Sequence, residues 1–228
     1  VGELLSDRLP VTVMLAVISL LMILICSVPL GLLCARGAGG VLDHAVNQIL
    51  QTVMAVPSFF LGILLTYAFG LVLHWFQPGQ FVEPSESFFG AASYLVFPAL
   101  AVALPKIAMV VKFLRNAVLS ELSKDYVRTA KSRGNSSRRI LYVHVLKNAM
   151  IPVITFTAMV VAEILAGSII VEQVFSVPGV GRLLISSIFN RDYPVVQAIV
   201  MYITLVVVAV NFLVDFMYQL LDPRVRTS

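Results

Sequence analysis

An all-α integral membrane protein is the fold class this 228-residue chain predicts, and three observations carry that reading. Hydrophobic residues make up 59% of the sequence, with a mean hydropathy of +0.96. Charged residues make up only 12%, about half the roughly 25% of soluble domains. Runs without a formal charge cover residues 11–35, 45–73, 88–105, 148–162 and 194–214. Carried through the lone Glu163 to residue 171, the fourth run matches the rest. Each then approaches or exceeds the roughly 18–20 residues that cross a bilayer as a helix, which gives five transmembrane helices. Pro29, Pro57, Pro98 and Pro105 fall inside these runs; a packed membrane bundle can satisfy the backbone groups they free.

The formal net charge of +4 is a topology signal in so apolar a chain, because cytoplasmic loops of membrane proteins accumulate Lys and Arg. Residues 112–147 hold nine Lys/Arg against two acids, Glu121 and Asp125. With that segment in the cytoplasm, Arg36, Arg224 and Arg226 join it for a total of twelve, and the other side holds only Arg8, Arg182 and Arg191. Lys106 stays inside the third helix. The C-terminus is then cytoplasmic and, after five crossings, Val1 is external. An external start with no signal segment of its own, at a Val rather than a Met, raises the expectation of a further upstream segment. Cys26 and Cys34 share the first apolar run and read as packing residues.

In chain order, residues 1–9 read as an external approach to the first helix. "RGAGGVLDH" is a cytoplasmic turn, since its glycines lack the following Lys-Ser or Lys-Thr of a phosphate cradle. The second helix leads to the external segment "HWFQPGQFVEPSESFFG", whose Trp75 and flanking aromatics suit a membrane interface. The third helix descends to the basic segment, the fourth leads to an external loop over 172–193, and the fifth returns to the cytoplasm. In that loop Pro178, Gly179 and Gly181 precede Leu183, Leu184 and Ile188 at helical spacing, which predicts a short amphipathic helix on or in the external face.

The basic segment is itself patterned. Val118, Leu122, Tyr126, Val127 and Ala130 recur every three or four residues, with Lys124, Arg128 and Lys131 on other faces. Gly134 permits a left-handed turn, and Asn135, Ser136 and Ser137 offer N-cap oxygens to a second helix beginning near Arg138. The prediction is helix, glycine turn, helix, with the small Thr129, Ala130 and Ser132 allowing another backbone to approach.

Within it, "RTAKSRG" resembles the EAA motif of membrane subunits of ATP-binding cassette (ABC) importers. Ala130 and Gly134 keep the motif's spacing, whereas Arg128 and Thr129 depart from its Glu-Ala. With "HVLKNAMIP", "VFSVPGVGRLL", "RDYPVVQA" and "LDPRVR", the chain is similar along essentially its whole length to the oligopeptide, dipeptide and nickel permease branch. The resemblance implies a type I ABC importer permease fold, with the family's first helix lying before Val1. It also implies an import channel of two permeases with two cytoplasmic ATPase subunits and an external solute-binding protein. In that setting residues 112–147 are the coupling loop, one permease domain spans 1–228, and Arg128, Thr129, Ala130, Lys131, Gly134 and Arg138 dock into an ATPase subunit.

The sequence has no Walker A pattern, no HExxH, no paired Cys and no Ser-His-Asp set. The chain is therefore expected to be no enzyme and to hold no cofactor, with ATP and Mg carried by partner subunits. His44, His74 and His144 lie on different loops and do not suggest a metal site. Charged residues within membrane spans tend to face a cavity or a partner helix; Lys106 and Asp215 can snorkel to the cytoplasmic interface, while the deeper Glu163 is the candidate for a pore or gating role, together with Pro178, Gly179 and Gly181 of the external loop. The reading is a permease subunit of a peptide-type importer in a bacterial or archaeal cell membrane, taking short peptides ahead of nickel chelates or other small solutes. An ion-coupled secondary transporter, the alternative, calls for internal repeats or several ionisable residues at the midplane. A membrane-embedded enzyme lacks a catalytic constellation.

Overall fold

The computed structural model of the chain describes residues 2–221; the closing Arg224 and Arg226 lie outside the described residues, as does the side chain of Asp215. The described residues form helices and their connections. They are α1 (Gly2–Arg36), α2 (Val41–Ala55), α3 (Ser58–Leu65, running on as π-helical turns over Thr66–Val72), α4 (Phe88–Leu122), α5 (Asp125–Ser132), α6 (Ser137–Arg139), α7 (Leu146–Val174), α8 (Val180–Phe189) and α9 (Tyr193–Leu221). A π-helical stretch, Ile140–Val145, joins α6 to α7 without a break.

Four of these are long and apolar enough to cross a membrane, and a fifth crossing exists if α2 and α3 count as one span. The second span is broken by 99°, because the break falls at Val56–Pro57. Proline pushes the residue before it out of the helical region, and Val56 sits at φ −89°, ψ 124°. Pro29, Pro98, Pro105 and Pro152 lie inside continuous helices, so Pro57 alone among the prolines read above cuts its span.

Helix ends also differ from the charge-based reading. Residues 2–9 are not a separate approach to the first helix but its first turns. The basic segment begins as helix, since α4 continues through Lys112 and Arg115 to Leu122. At 1.5 Å per residue the 35 residues of α4 span about 50 Å, well beyond a hydrocarbon core of ~30 Å, so the charged end of α4 projects past the apolar slab. Likewise α7 reaches Val174, which places Glu172 on a helix rather than in the external loop.

The core is organised around α4. Ala91, Ala99, Ala101, Ala103 and Ala108 are fully buried, and α1, α2, α3 and α7 pack against this helix. Small side chains let membrane helices approach closely. Gly31 of α1 is such a contact, for a Cβ there would lie 2.7 Å from Leu114 of α4.

At the basic end, Asp43 on α2 is buried and accepts two hydrogen bonds from Arg115 of α4, at 2.7 and 2.6 Å. It also accepts from the backbone of Gly39 and the amide of Asn47. This ties the turn after α1 to α4 and satisfies every oxygen of a carboxylate that is costly to bury alone. Arg115→Met should lower stability by about 3 kcal/mol by orphaning Asp43. Adding Asp43→Leu should recover part of that loss, as read from thermal unfolding of the detergent-solubilised protein; a double variant that loses the sum of the two single losses would show that the pair is not a unit.

Candidate functional site

The basic segment folds as a short helix, a glycine turn and then the opening turns of the helix that runs on unbroken into α7. Lys124, extended at φ −75°, ψ 154°, starts α5. Val127 of α5 is buried, and Leu122, Tyr126 and Ala130 pack against the core. After the turn, Ile140, Leu141 and Val145 are buried as well. Apolar side chains on both arms thus hold the hairpin to this subunit's own bundle, and the polar faces point away.

Gly134 makes the turn at φ +78°, a left-handed angle that costs other residues strain. Its N–H donates to the Lys131 carbonyl at 3.0 Å, and the Asn135 backbone and side-chain N–H groups both donate to the Ala130 carbonyl at 3.3 and 3.0 Å. Those bonds use carbonyls that the end of α5 leaves unpaired. The Ser136 Oγ then accepts from the Arg139 N–H and caps the next helix. At the front of the hairpin, Tyr126 donates to Glu121 at 2.8 Å, and Lys124 pairs with the same carboxylate. Partial burial, with the Glu121 carboxylate beside it, pushes the Tyr126 hydroxyl above its ordinary pKa.

Of the residues assigned to docking, Arg128, Thr129, Lys131, Gly134 and Arg138 are exposed on this hairpin. Ala130 is different: it faces the core, so only Thr129 and Ser132 of the small trio are open to an approaching backbone. A Cβ on Gly134 would meet nothing within 4 Å, so the requirement for glycine there is the backbone angle alone.

The opposite end of the bundle is built on a residue that sequence reasoning passed over. Glu172 is buried, and its carboxylate accepts from Thr12 Oγ1 at 2.7 Å, from the Gly181 N–H at 2.7 Å and from the Arg182 N–H at 3.2 Å. Thr12 in turn accepts from the Val180 N–H at 2.9 Å. The first amides of α8, which no helix can pair internally, therefore all end on Thr12 and Glu172, a carboxylate at the positive end of a helix dipole. A lone acid at the end of an apolar run, followed by Gly-x-Gly and a helical pattern, is the signal that could have found it.

Gly179 and Gly181 owe their identity to this arrangement. A Cβ on Gly179 would sit 2.3 Å from the Glu172 carboxylate, and one on Gly181 would sit 2.4 Å from the Ile169 backbone. The Pro178 carbonyl accepts from Arg8 at 3.4 Å. Val180 clusters with Val195 and Ile199 of α9, with Leu5, Leu9, Leu183 and Leu184 around them, so α8 is wedged among α1, α7 and α9. Beside it lies a crevice of about 550 Å³ lined by Arg8, Gln173, Pro178, Arg182 and Asn190 among others. Nearby, the Tyr94 hydroxyl donates to the Phe175 carbonyl at 2.7 Å and accepts from the Gly79 N–H at 2.9 Å, tying the segment after α3 to α4 and α7.

Glu163, the third candidate, lies in α7 and forms an ion pair with Lys106 of α4. Sequence reasoning treated the two separately, because 57 residues divide them.

Comparison with known proteins gives a consistent picture. Residues 27–227 match the family model described as binding-protein-dependent transport system inner membrane component. The oligopeptide transport system permease protein AppB of Bacillus subtilis (strain 168) is 34% identical over 228 residues, covering 99% of this chain and 72% of that protein. The dipeptide transport system permease protein DppB of the same organism is 33% identical, covering 99% and 71%. A probable peptide ABC transporter permease protein of Sinorhizobium fredii is 35% identical, covering 98% and 72%. Among solved structures, an inward-facing form of the MetNI methionine ABC transporter superposes with a TM-score of 0.75 over 96% of this chain and 97% of that one, at 17% identity; the fold is shared.

Glu172→Ala should cost about 2–3 kcal/mol, since it strands buried donors that a charged acceptor now holds. Thr12→Val should cost about 1 kcal/mol. Proteolysis of the loop before α8 in the purified protein should quicken in the same order. Equal susceptibility of wild type and Glu172→Ala would show that the carboxylate does not hold this helix.

Proposed function

The chain belongs to the family of binding-protein-dependent transport system inner membrane components, and on that premise we propose that it forms half of an import channel for short peptides, driven through the exposed hairpin of α5 and α6. It is a multi-pass membrane protein and a permease subunit of an ABC importer. The peptide substrate is read from what its relatives are named to carry.

The partners in this reading are a second, homologous permease, two cytoplasmic ATPase subunits that bind ATP and Mg, and an external solute-binding protein. The basic end of the bundle faces the cytoplasm, in keeping with the positive-inside rule, and the α8 end faces the binding protein. The C-terminus is cytoplasmic, in a bacterial or archaeal cell membrane.

One observation carries the proposal: the hairpin is rigidly anchored yet turns its cationic face outward. Val127, Ile140 and Leu141 are buried in this subunit, while Arg128, Lys131 and Arg138 are exposed. A topology signal needs charge but no such anchoring. A lever that passes motion from a nucleotide-driven partner needs both a firm root and a free contact face. When the ATPase subunits close on ATP, motion of the docked hairpin is carried through its buried side chains into α4 and α7. The bundle then opens to the outside to receive substrate, and Thr12, Glu172, Gly179 and Gly181 keep α8 attached to the walls that move.

Gly134→Val tests this reading, because it changes no charge and meets no neighbour, leaving only backbone strain of about 1–3 kcal/mol at a left-handed position. Membrane abundance should stay normal, ATPase co-purification should weaken, and peptide-stimulated ATP hydrolysis should be lost. Wild-type hydrolysis and partner binding in this variant would overturn the docking role.

A further inference from the structure

The ion pair between Lys106 and Glu163 sits where an ion pair is hardest to keep. Glu163 is nine residues before Glu172 on the same helix, about 13 Å along the axis at 1.5 Å per residue. That is close to half of a ~30 Å hydrocarbon core. The Glu163 side chain is nevertheless 50% exposed, against 20% for Lys106. It lies on the outward stripe of α7 with Met159, Ala166 and Ile170, and is the one charge on that stripe.

A half-exposed carboxylate at mid-membrane depth does not tolerate lipid, and charged residues at such depth face water-filled cavities or protein. The two partners are also unequally placed. Lys106 lies behind, donating to Oε2 of Glu163, while among the described residues Oε1 accepts no hydrogen bond. A group arriving from the exposed side meets carboxylate oxygen first and the ammonium of Lys106 second. Such a surface attracts a cation and holds little for an anion.

We propose that the α4/α7 face bearing this pair lines the translocation path, and that Glu163 receives the N-terminal ammonium group of the passing peptide while Lys106 holds the carboxylate in place. The peptide identity rests on the functional reading above; the water-facing, cation-accepting character of the face does not. Glu163 is then the residue that favours solutes with a free amino terminus, and Lys106 is a positioning residue.

A thiol reporter one turn from Glu163 tests this in the complete transporter in lipid vesicles. Cys26 and Cys34 are replaced by Ala, and Met159→Cys is introduced on the exposed stripe. A trimethylammonium-bearing and a sulfonate-bearing methanethiosulfonate, both membrane-impermeant, are compared in nucleotide-free and ATP-trapped states. Both reagents should react in at least one state, with the cationic one favoured. Glu163→Gln should lower the cation-to-anion rate ratio roughly tenfold, since one unit charge about 6 Å away acts oppositely on the two reagents. Dialanine amide should slow the labelling and N-acetyl-dialanine amide should not. If Glu163→Gln does not assemble, exchanging the pair as Lys106→Glu with Glu163→Lys should keep the attraction between them and invert the reagent preference.

No labelling in any state would place this face against lipid or protein and overturn the proposal. So would a ratio that ignores Glu163, or equal protection by the two peptides. Trialanine uptake by the unmodified transporter in the same vesicles examines the peptide reading separately. If that uptake is absent while the reagent ratio still depends on Glu163, the peptide reading fails and the cation-accepting path stands.

Discussion

Close approach to α4 is the constraint on which the rest of this structure depends. Lipid tails are as apolar as the side chains of a helix, so membrane helices gain little from hydrophobic burial against one another and rely on contact between well-fitted surfaces. The alanines of α4 remove the side-chain bulk that would hold α1 and α7 away, and Gly31 does the same from α1. Once α4 is central, its length sets where the polar ends of the molecule fall. One end projects past the apolar slab with Lys112 and Arg115, and the other carries Tyr94 to the carbonyl of Phe175.

Each end is then closed by a buried carboxylate with a full set of donors. Asp43 ties the turn after α1 to α4 through Arg115, and Glu172 with Thr12 ties α8 to α1 and α7. Both carboxylates bind backbone N–H groups that apolar packing leaves without partners, at Gly39 before α2 and at the start of α8. The consequence for transport is mechanical. The α5–α6 hairpin and helix α8 at the opposite end both attach to α4 or α7, so displacement at one end has a continuous packed route to the other.

Lys106 and Glu163 occupy the same two helices between these ends, and they depart from the logic of the termini. Asp43 and Glu172 are sealed by their donors, whereas Glu163 keeps an oxygen open toward the outside of the isolated subunit. A structural carboxylate is saturated; a receiving one is not. The stacked rings of Phe113 and Phe156, with centroids 4.3 Å apart, join the same pair of helices toward the basic end. They hold α4 and α7 together near the root of the hairpin.

The sequence by itself determined the class of fold, the family and the helix-turn-helix character of residues 125–139, because each rests on local periodicity, on the count of uncharged residues against bilayer thickness, or on motifs read in order. It located Gly134 and the capping serine region from turn chemistry alone, and the amphipathic α8 from the spacing of Leu183, Leu184 and Ile188. Only the tertiary structure decided what depends on partners distant in the chain. Thr12 meets Glu172 across 160 residues, Asp43 meets Arg115 across 72, and Lys106 meets Glu163 across 57. The apolar stripe already put Ala130 on the inward face, but the close packing that fixes Gly179 and Gly181 was hidden, since a side chain's neighbours are set by how helices cross. The 99° break at Pro57 lay between these extremes: the residue was visible, but helix packing decides whether a membrane proline is absorbed within a span or ends it.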